Sequence, residues 1–157
     1  MASKTMASRL IDAADVLLNE GRRSTAFRRR AVSTAYYAVF HALAKLCADY
    51  VTQSAQRSTD VYSRAYRALD HGPLRHAFAQ PPLTSDTTLS RIGAIIVRLQ
   101  AERHRADYLP PVAGVFSADD AQEVVDLGRR TVDEIESLDS DDRRTLAIAL
   151  LFKTRTQ

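Results

Sequence analysis

Four side chains that could act on a phosphate ester lie within the segment 103–108: Arg103, His104, Asp107 and Tyr108. An arginine binds phosphate through parallel hydrogen bonds and stabilises charge that develops on it. A histidine exchanges a proton near neutral pH, whereas a tyrosine, with a reference pKa near 10, is a poor base that can still bind phosphate or a nucleotide. Arg103 and Asp107 also have the i, i+4 spacing of a helical salt bridge. The residue types therefore leave open catalysis on a phosphate, phosphate binding without catalysis, and a purely structural ion pair.

A second candidate feature is a cluster of arginines within nine residues: Arg22, Arg23, Arg28, Arg29 and Arg30. Arginine makes up 19 of the 22 basic residues, and its planar fork suits phosphate better than the point charge of lysine does. The cluster predicts a nucleic-acid-binding patch. The alternative is that these arginines form a solvated helix start whose charge balances that of the segment 117–142. That segment contains ten acidic residues and two arginines.

The histidine and cysteine patterns predict neither a metal site nor a cofactor. The histidines, His41, His71, His76 and His104, lack the paired spacing of a metal motif. We expect His71 and His76 to serve caps and turns. Cys47 is the only cysteine, so an intramolecular disulfide is excluded, and we expect this thiol in the core. The sequence also lacks a glycine-rich phosphate-binding loop.

Length and hydropathy place these residues in one domain of ordinary globular composition. The chain has 157 residues, of which 45% are hydrophobic and 26% charged. No apolar stretch approaches 18 residues, and no signal-peptide apolar region precedes the domain. We therefore predict a soluble, cytoplasmic protein without membrane contact.

Apolar residues recur with helical spacing, and no segment alternates as a strand would. The pattern predicts a first helix through Leu10–Leu18 that ends at Gly21, and a second that Ser24 or Thr25 caps and that runs to about Tyr50. One face of the second helix carries small side chains that permit close helix packing: Ala31, Ala35, Ala38 and Ala42. Further helices are predicted over about 60–69, 85–109 and 118–138. The predicted breaks lie at 52–59, 70–73, 80–82 and 110–111.

These elements predict an all-α, up-down bundle of four to five helices plus a C-terminal apolar helix. We assign residues 8–138 to the helical domain and 139–157 to a C-terminal extension, docked on it or placed at a dimer interface. The apolar run Leu146–Phe152 is too short for a membrane span, and as a helix it would be apolar nearly all round, which predicts burial.

Two motifs, in this order, resemble the HEPN-domain family, in its small stand-alone branch. The first is AVSTAYYAVFHA at 31–42, which carries Ser33, Tyr36, Tyr37 and His41; the second is RHRADY at 103–108. Between them lies YRALDHG at 66–72. The resemblance, to an S-x-A-Y-Y-A-x-F-H helix followed by R-x-x-A-D-Y, covers about residues 8–138.

The resemblance implies a HEPN-like helical bundle that pairs as a homodimer and works on RNA. Many HEPN proteins are metal-independent endoribonucleases of toxin–antitoxin, abortive-infection or CRISPR-linked defence systems. Their usual active motif is R-x(4–6)-H, brought together at the dimer cleft. A frequent partner is a minimal nucleotidyltransferase that acts as antitoxin.

This chain departs from that motif, because the fifth residue after Arg103 is Tyr108 rather than histidine. A second register, Arg98-x5-His104, satisfies the spacing, but residues six apart on a helix point about 120° away from each other. His41 is an alternative source of a base, although a helical histidine beside Tyr37 is more often a hydrogen-bonded core group.

Three hypotheses follow. The first is a homodimeric HEPN-type endoribonuclease, a toxin or defence effector, in which Arg103 stabilises the phosphate and His104 or Tyr108 assists. The second is a noncatalytic module with a degenerate motif that binds RNA, a nucleotide or a partner protein. The third is a structural dimer within a larger assembly.

Overall fold

The computed structural model describes residues 3–20 and 23–153. Over these residues the chain forms seven α-helices and no strand, which confirms the predicted all-α class. The helices are α1 (Met6–Glu20), α2 (Thr25–Thr52), α3 (Asp60–Tyr66), α4 (His71–Phe78), α5 (Thr87–Tyr108), α6 (Ala118–Glu136) and α7 (Ser140–Leu151). Among the described helices, none combines the length and the apolar character needed to cross a bilayer. The likeness of this helical fold to HEPN domains stays a prediction.

The residues group into two compact units. Unit 1 comprises Met1–His41 and Ile95–Asp133, and unit 2 comprises Ala42–Ala94 and Glu134–Gln157. Helices α2, α5 and α6 each contribute residues to both units. Both sequence motifs, 31–41 of the first and 103–108 of the second, fall in unit 1 apart from the last residue of the first motif. The division 8–138 and 139–157 stays a prediction.

Small side chains set the packing of unit 1. Ala14 of α1, Ala31 and Ala35 of α2 and Val125 of α6 form one fully buried cluster. A Cβ placed on Gly128 of α6 would lie 3.1 Å from the Cβ of Ala35. The small-residue face of α2 is therefore buried, as its composition predicts, and it permits close packing of neighbouring helices.

The C-terminal helix α7 packs in unit 2 against α4 and the short 3₁₀ turn Leu83–Ser85. Leu146 and Ala147 are buried, but Ile148 and Phe152 are 47% and 62% exposed. The expectation that the apolar run is buried all round is therefore wrong. Ile148 lies within α7, and Phe152 is the extended residue that follows its last turn.

Side-chain caps explain where several of the helices begin. Ser117 and Asp120 form the expected capping box at the start of α6: the amide of Asp120 donates to Ser117 Oγ over 3.1 Å, and the amide of Ser117 donates to Asp120 Oδ2 over 3.2 Å. Asp86 caps α5 by accepting from the amide of Leu89 over 2.8 Å. Gly21, the expected end of the first helix, lies outside the described residues.

The prediction for residues 70–73 is only half right. Helix α3 ends at Tyr66, before this segment, but the segment then starts a helix instead of remaining a break. Asp70 is the N-cap of α4 and accepts from the amide of Gly72. Pro73 stands in the first turn, where a missing N–H removes no intrahelical hydrogen bond. His71 and His76 accordingly lie on α4, at its first and sixth residues.

Candidate nucleic-acid interface

The two sequence motifs meet in unit 1 at the carboxylate of Asp107. The hydroxyl of Ser33, on α2, donates a hydrogen bond to Asp107 Oδ1. Arg103 Nη1 lies 3.6 Å from Asp107 Oδ2, so the i, i+4 ion pair that the spacing allows is present. Ser33 is buried, and the side chains of Arg103 and Asp107 are only 17% and 18% exposed. This arrangement fixes the last turn of α5 on α2.

The ring of Tyr36 supports the guanidinium of Arg103, whose Cζ lies 5.4 Å from the ring centroid. Burial raises the pKa of Tyr36 to about 12, although Arg103 and a hydrogen bond with Gln100 oppose the rise. Tyr36 therefore stays protonated at neutral pH and is a structural group rather than a base. The Nε of Arg103 is buried, and no hydrogen-bond partner for it occurs in the described part of the chain.

A second arginine reaches the same carboxylate from α2. Arg30 Nη1 lies 4.0 Å from Asp107 Oδ1, and the Arg30 side chain is 70% exposed. Asp107 thus stands between two guanidinium groups, one held inside the fold and one at the surface. With two positive charges and one negative, these three side chains carry a net positive charge.

The solvent side of the same helical turn carries an aromatic pair. The rings of His104 and Tyr108 are in contact, with centroids 4.9 Å apart and planes tilted by 54°. Both residues are exposed, Tyr108 to 67%. Five residues along a helix correspond to a rotation of about 140°, so Arg103 and Tyr108 point to different sides of α5. Within one chain, the candidate catalytic residues therefore divide between an inner pair, Arg103 and Asp107, and an outer pair, His104 and Tyr108.

Part of the arginine cluster is engaged inside unit 1. Arg29 donates to backbone carbonyls at the end of α5: to Leu109 O, to Ala106 O over 3.4 Å and to Pro110 O over 3.0 Å. A cation there satisfies the last carbonyls of the helix and opposes its dipole. Arg23 and Arg30 are exposed, whereas Arg22 lies outside the described residues.

Phe116, in the loop between α5 and α6, contacts three arginines, a role that the sequence did not indicate. Its carbonyl accepts from Arg28 Nε over 2.8 Å, and its ring centroid lies 5.8 Å from Arg29 Cζ and 5.4 Å from Arg105 Cζ. Phe116 has a positive φ of 55°, which is uncommon for a bulky residue. Arg28 also donates to Thr25 Oγ1. Arg28 and Arg29 therefore stabilise the fold of unit 1.

The other candidate residues, Arg98, His41 and Tyr37, make contacts with side chains other than Asp107. Arg98 forms an ion pair with Glu123 of α6 at 2.6 Å, so the alternative register gives its arginine a partner on another helix. His41 is half-buried, and burial lowers its pKa; its ring stands edge-on to that of Phe40 at 6.2 Å. Tyr37 contacts the ring of Tyr36 edge-on at 5.5 Å.

Two further findings concern metal ligands and the similarity to known proteins. Across residues 3–20 and 23–153, no three His, Cys, Asp or Glu side chains are grouped as metal ligands would be. Comparisons with protein-family models, curated protein sequences and solved structures find no match to this chain. Membership of the HEPN family therefore stays a hypothesis that rests on the two motifs.

Proposed function

We propose that this chain is a HEPN-type RNA-binding protein, acting in the cytoplasm as a homodimer, that holds unpaired RNA at the end of α5. The contact surface comprises Arg30, His104 and Tyr108, which we call the α5 platform. The observation that carries the proposal is the exposed pair of tilted rings, His104 and Tyr108, in the same helical turn as a carboxylate that Arg30 approaches to 4.0 Å.

The chemistry of the platform fits a single strand. Unpaired bases stack on exposed aromatic rings, while arginines bind the backbone phosphates. In an A-form duplex the base faces are covered, so a ring such as Tyr108 has no base to stack on. The hydrogen bonds from Arg29 to the end of α5 hold this turn in place before RNA binds, which lowers the entropy lost on binding.

A second candidate is a metal-independent endoribonuclease of a toxin or defence system, with a minimal nucleotidyltransferase as its partner. The supporting observation is that His104 is exposed beside Tyr108, so an acid–base group stands at the platform. We place it second because Arg103 is directed at Asp107 and Tyr36, and adjacent residues on one helix point about 100° apart. Convergence of Arg103 and His104 on one phosphate then requires the second subunit.

Binding is tested with a fluorescent 20-nucleotide single-stranded RNA in EDTA, by anisotropy at several salt concentrations. We expect Arg30→Ala to weaken binding and to make the slope of log K against log salt shallower by about 0.7, because one phosphate contact is lost. Arg64→Ala is the matched control, since Arg64 is an exposed arginine of α3 in unit 2. Absence of binding at low salt, or equal effects of the two substitutions, contradicts the proposal.

The same samples, run on a denaturing gel, test the second candidate. A ribonuclease produces discrete fragments in EDTA, and His104→Ala abolishes them. Fragments that persist unchanged in this variant indicate a contaminating nuclease. Light scattering at micromolar concentration tests the homodimer, and a monomer there contradicts it.

A further inference from the structure

Two carboxylates in this chain each stand between two cations, and they are satisfied to very different extents. In unit 2, Asp49 accepts from Arg57 Nε over 2.8 Å, from Arg57 Nη2 over 2.6 Å and from Lys45 over 3.0 Å. In unit 1, the two arginines around Asp107 lie at 3.6 and 4.0 Å. The side chains of Asp49 and Asp107 are 20% and 18% exposed, so burial does not account for the difference.

The arginines around Asp107 therefore retain donor capacity. Charge-assisted hydrogen bonds between nitrogen and oxygen are about 2.7–2.9 Å long, and neither ion pair of Asp107 reaches that length. The Nε of Arg103 is in addition buried without a partner among the described residues. The hydroxyl of Ser33 supplies the short contact to this carboxylate.

A hydroxyl and two guanidinium groups directed at one oxyanion are also the donor set that binds a phosphate. We propose that this set is a phosphate-binding site of the RNA backbone, and that Asp107 occupies it in the RNA-free protein as an internal competitor. The inference rests on the proposed function, since it assigns one phosphate of the bound RNA to Arg30 and Arg103. Incoming phosphate meets the exposed Arg30 first and then displaces the carboxylate from Arg103.

The test is Asp107→Asn, which removes the charge, preserves the shape and keeps an oxygen that accepts from Ser33. Asp49→Asn is the matched control, because it makes the same charge change at a carboxylate between two cations in the other unit. The probes are inorganic polyphosphate, which has neither bases nor ribose, and the 20-nucleotide RNA. Binding of both is measured at several salt concentrations.

We expect Asp107→Asn to bind polyphosphate about tenfold more tightly than the unmodified protein, the scale of one charge-assisted hydrogen bond. With the RNA, the slope of log K against log salt steepens by about 0.7 for each arginine released. Asp49→Asn stays within about twofold of the unmodified protein. Arg30→Ala in the Asp107→Asn background reduces the gain, because Arg103 alone then remains to bind the phosphate, and this reduction ties the gain to this site.

Equal polyphosphate binding by Asp107→Asn and Asp49→Asn overturns the internal-competitor role. So does a gain that Arg30→Ala leaves undiminished. If Asp107→Asn fails to fold, as judged by circular dichroism, the carboxylate is a structural requirement and the proposal is likewise overturned. Because polyphosphate lacks bases, a gain with this probe but no RNA binding by any variant contradicts the RNA function while leaving the anion site in place.

Discussion

Tyr108→Ala separates base stacking from charge at the α5 platform. Tyr108 is 67% exposed, so its truncation removes little buried surface. We therefore expect it to change the free energy of unfolding by less than about 0.5 kcal/mol. Loss of one base–aromatic stack is worth about 1–3 kcal/mol, which raises the Kd for single-stranded RNA roughly 5- to 150-fold. The slope of log K against log salt stays unchanged, because the phenol contacts a base rather than a phosphate.

The assay is anisotropy with the 20-nucleotide RNA across a salt series, supported by urea unfolding of each variant. Tyr108→Phe retains the ring and keeps an affinity close to that of the unmodified protein. Tyr50→Ala, at a 40% exposed tyrosine of α2 in unit 2, is the control and leaves binding unaffected. Unchanged affinity of Tyr108→Ala, with intact folding, refutes the role of Tyr108 as a stacking surface.

Three further predictions concern stability and are checked by denaturant unfolding. Gly93→Ala destabilises unit 2 by about 1–2 kcal/mol, because the new Cβ would lie 2.6 Å from Phe78 Cδ1 and 3.1 Å from Phe78 Cβ. This overlap outweighs the roughly 1 kcal/mol gained in helix propensity. A more stable variant contradicts the prediction. Arg29→Ala costs about 2–3 kcal/mol, because the carbonyls at the end of α5 lose a charged donor, and an unchanged denaturation midpoint is the contrary result. Burial opposes ionisation of Asp49, but hydrogen bonds from Arg57 and Lys45 outweigh this effect and lower the pKa of Asp49. The ionised carboxylate therefore stabilises the fold above the unfolded-state pKa near 4, and this contribution is lost as the pH falls through the folded-state pKa. Asp49→Asn reduces the loss of stability at acid pH, and an identical loss in both proteins contradicts the prediction.

The parts of the fold that were predictable depend on local chemistry. Ser117 and Asp120 are three residues apart, and their reciprocal capping follows from that spacing alone. The Arg103–Asp107 ion pair follows from an i, i+4 spacing in the same way. Helix α4 was missed because glycine and proline at 72–73 usually mark a turn, whereas here Asp70 caps a helix whose first turn accommodates both.

The parts that were not predictable depend on contacts between distant segments. Ser33 and Asp107 are 74 residues apart, so only the fold shows that one donates to the other. Arg29 appears in the sequence as one of five similar arginines, and its commitment to the end of α5 is a tertiary contact. Phe116 carries no sequence signal either, since its positive φ and its contacts with Arg29 and Arg105 are seen only in the folded chain.

Photocrosslinking of the bound RNA locates the interface most directly. Single-stranded RNA that carries 4-thiouridine is irradiated in complex with the unmodified protein, and the attached nucleotides are mapped by mass spectrometry. We expect crosslinks at His104 or Tyr108 that Tyr108→Ala strongly reduces. Crosslinks confined to unit 2, or a pattern that Tyr108→Ala leaves unchanged, would contradict the proposal that RNA binds at the end of α5.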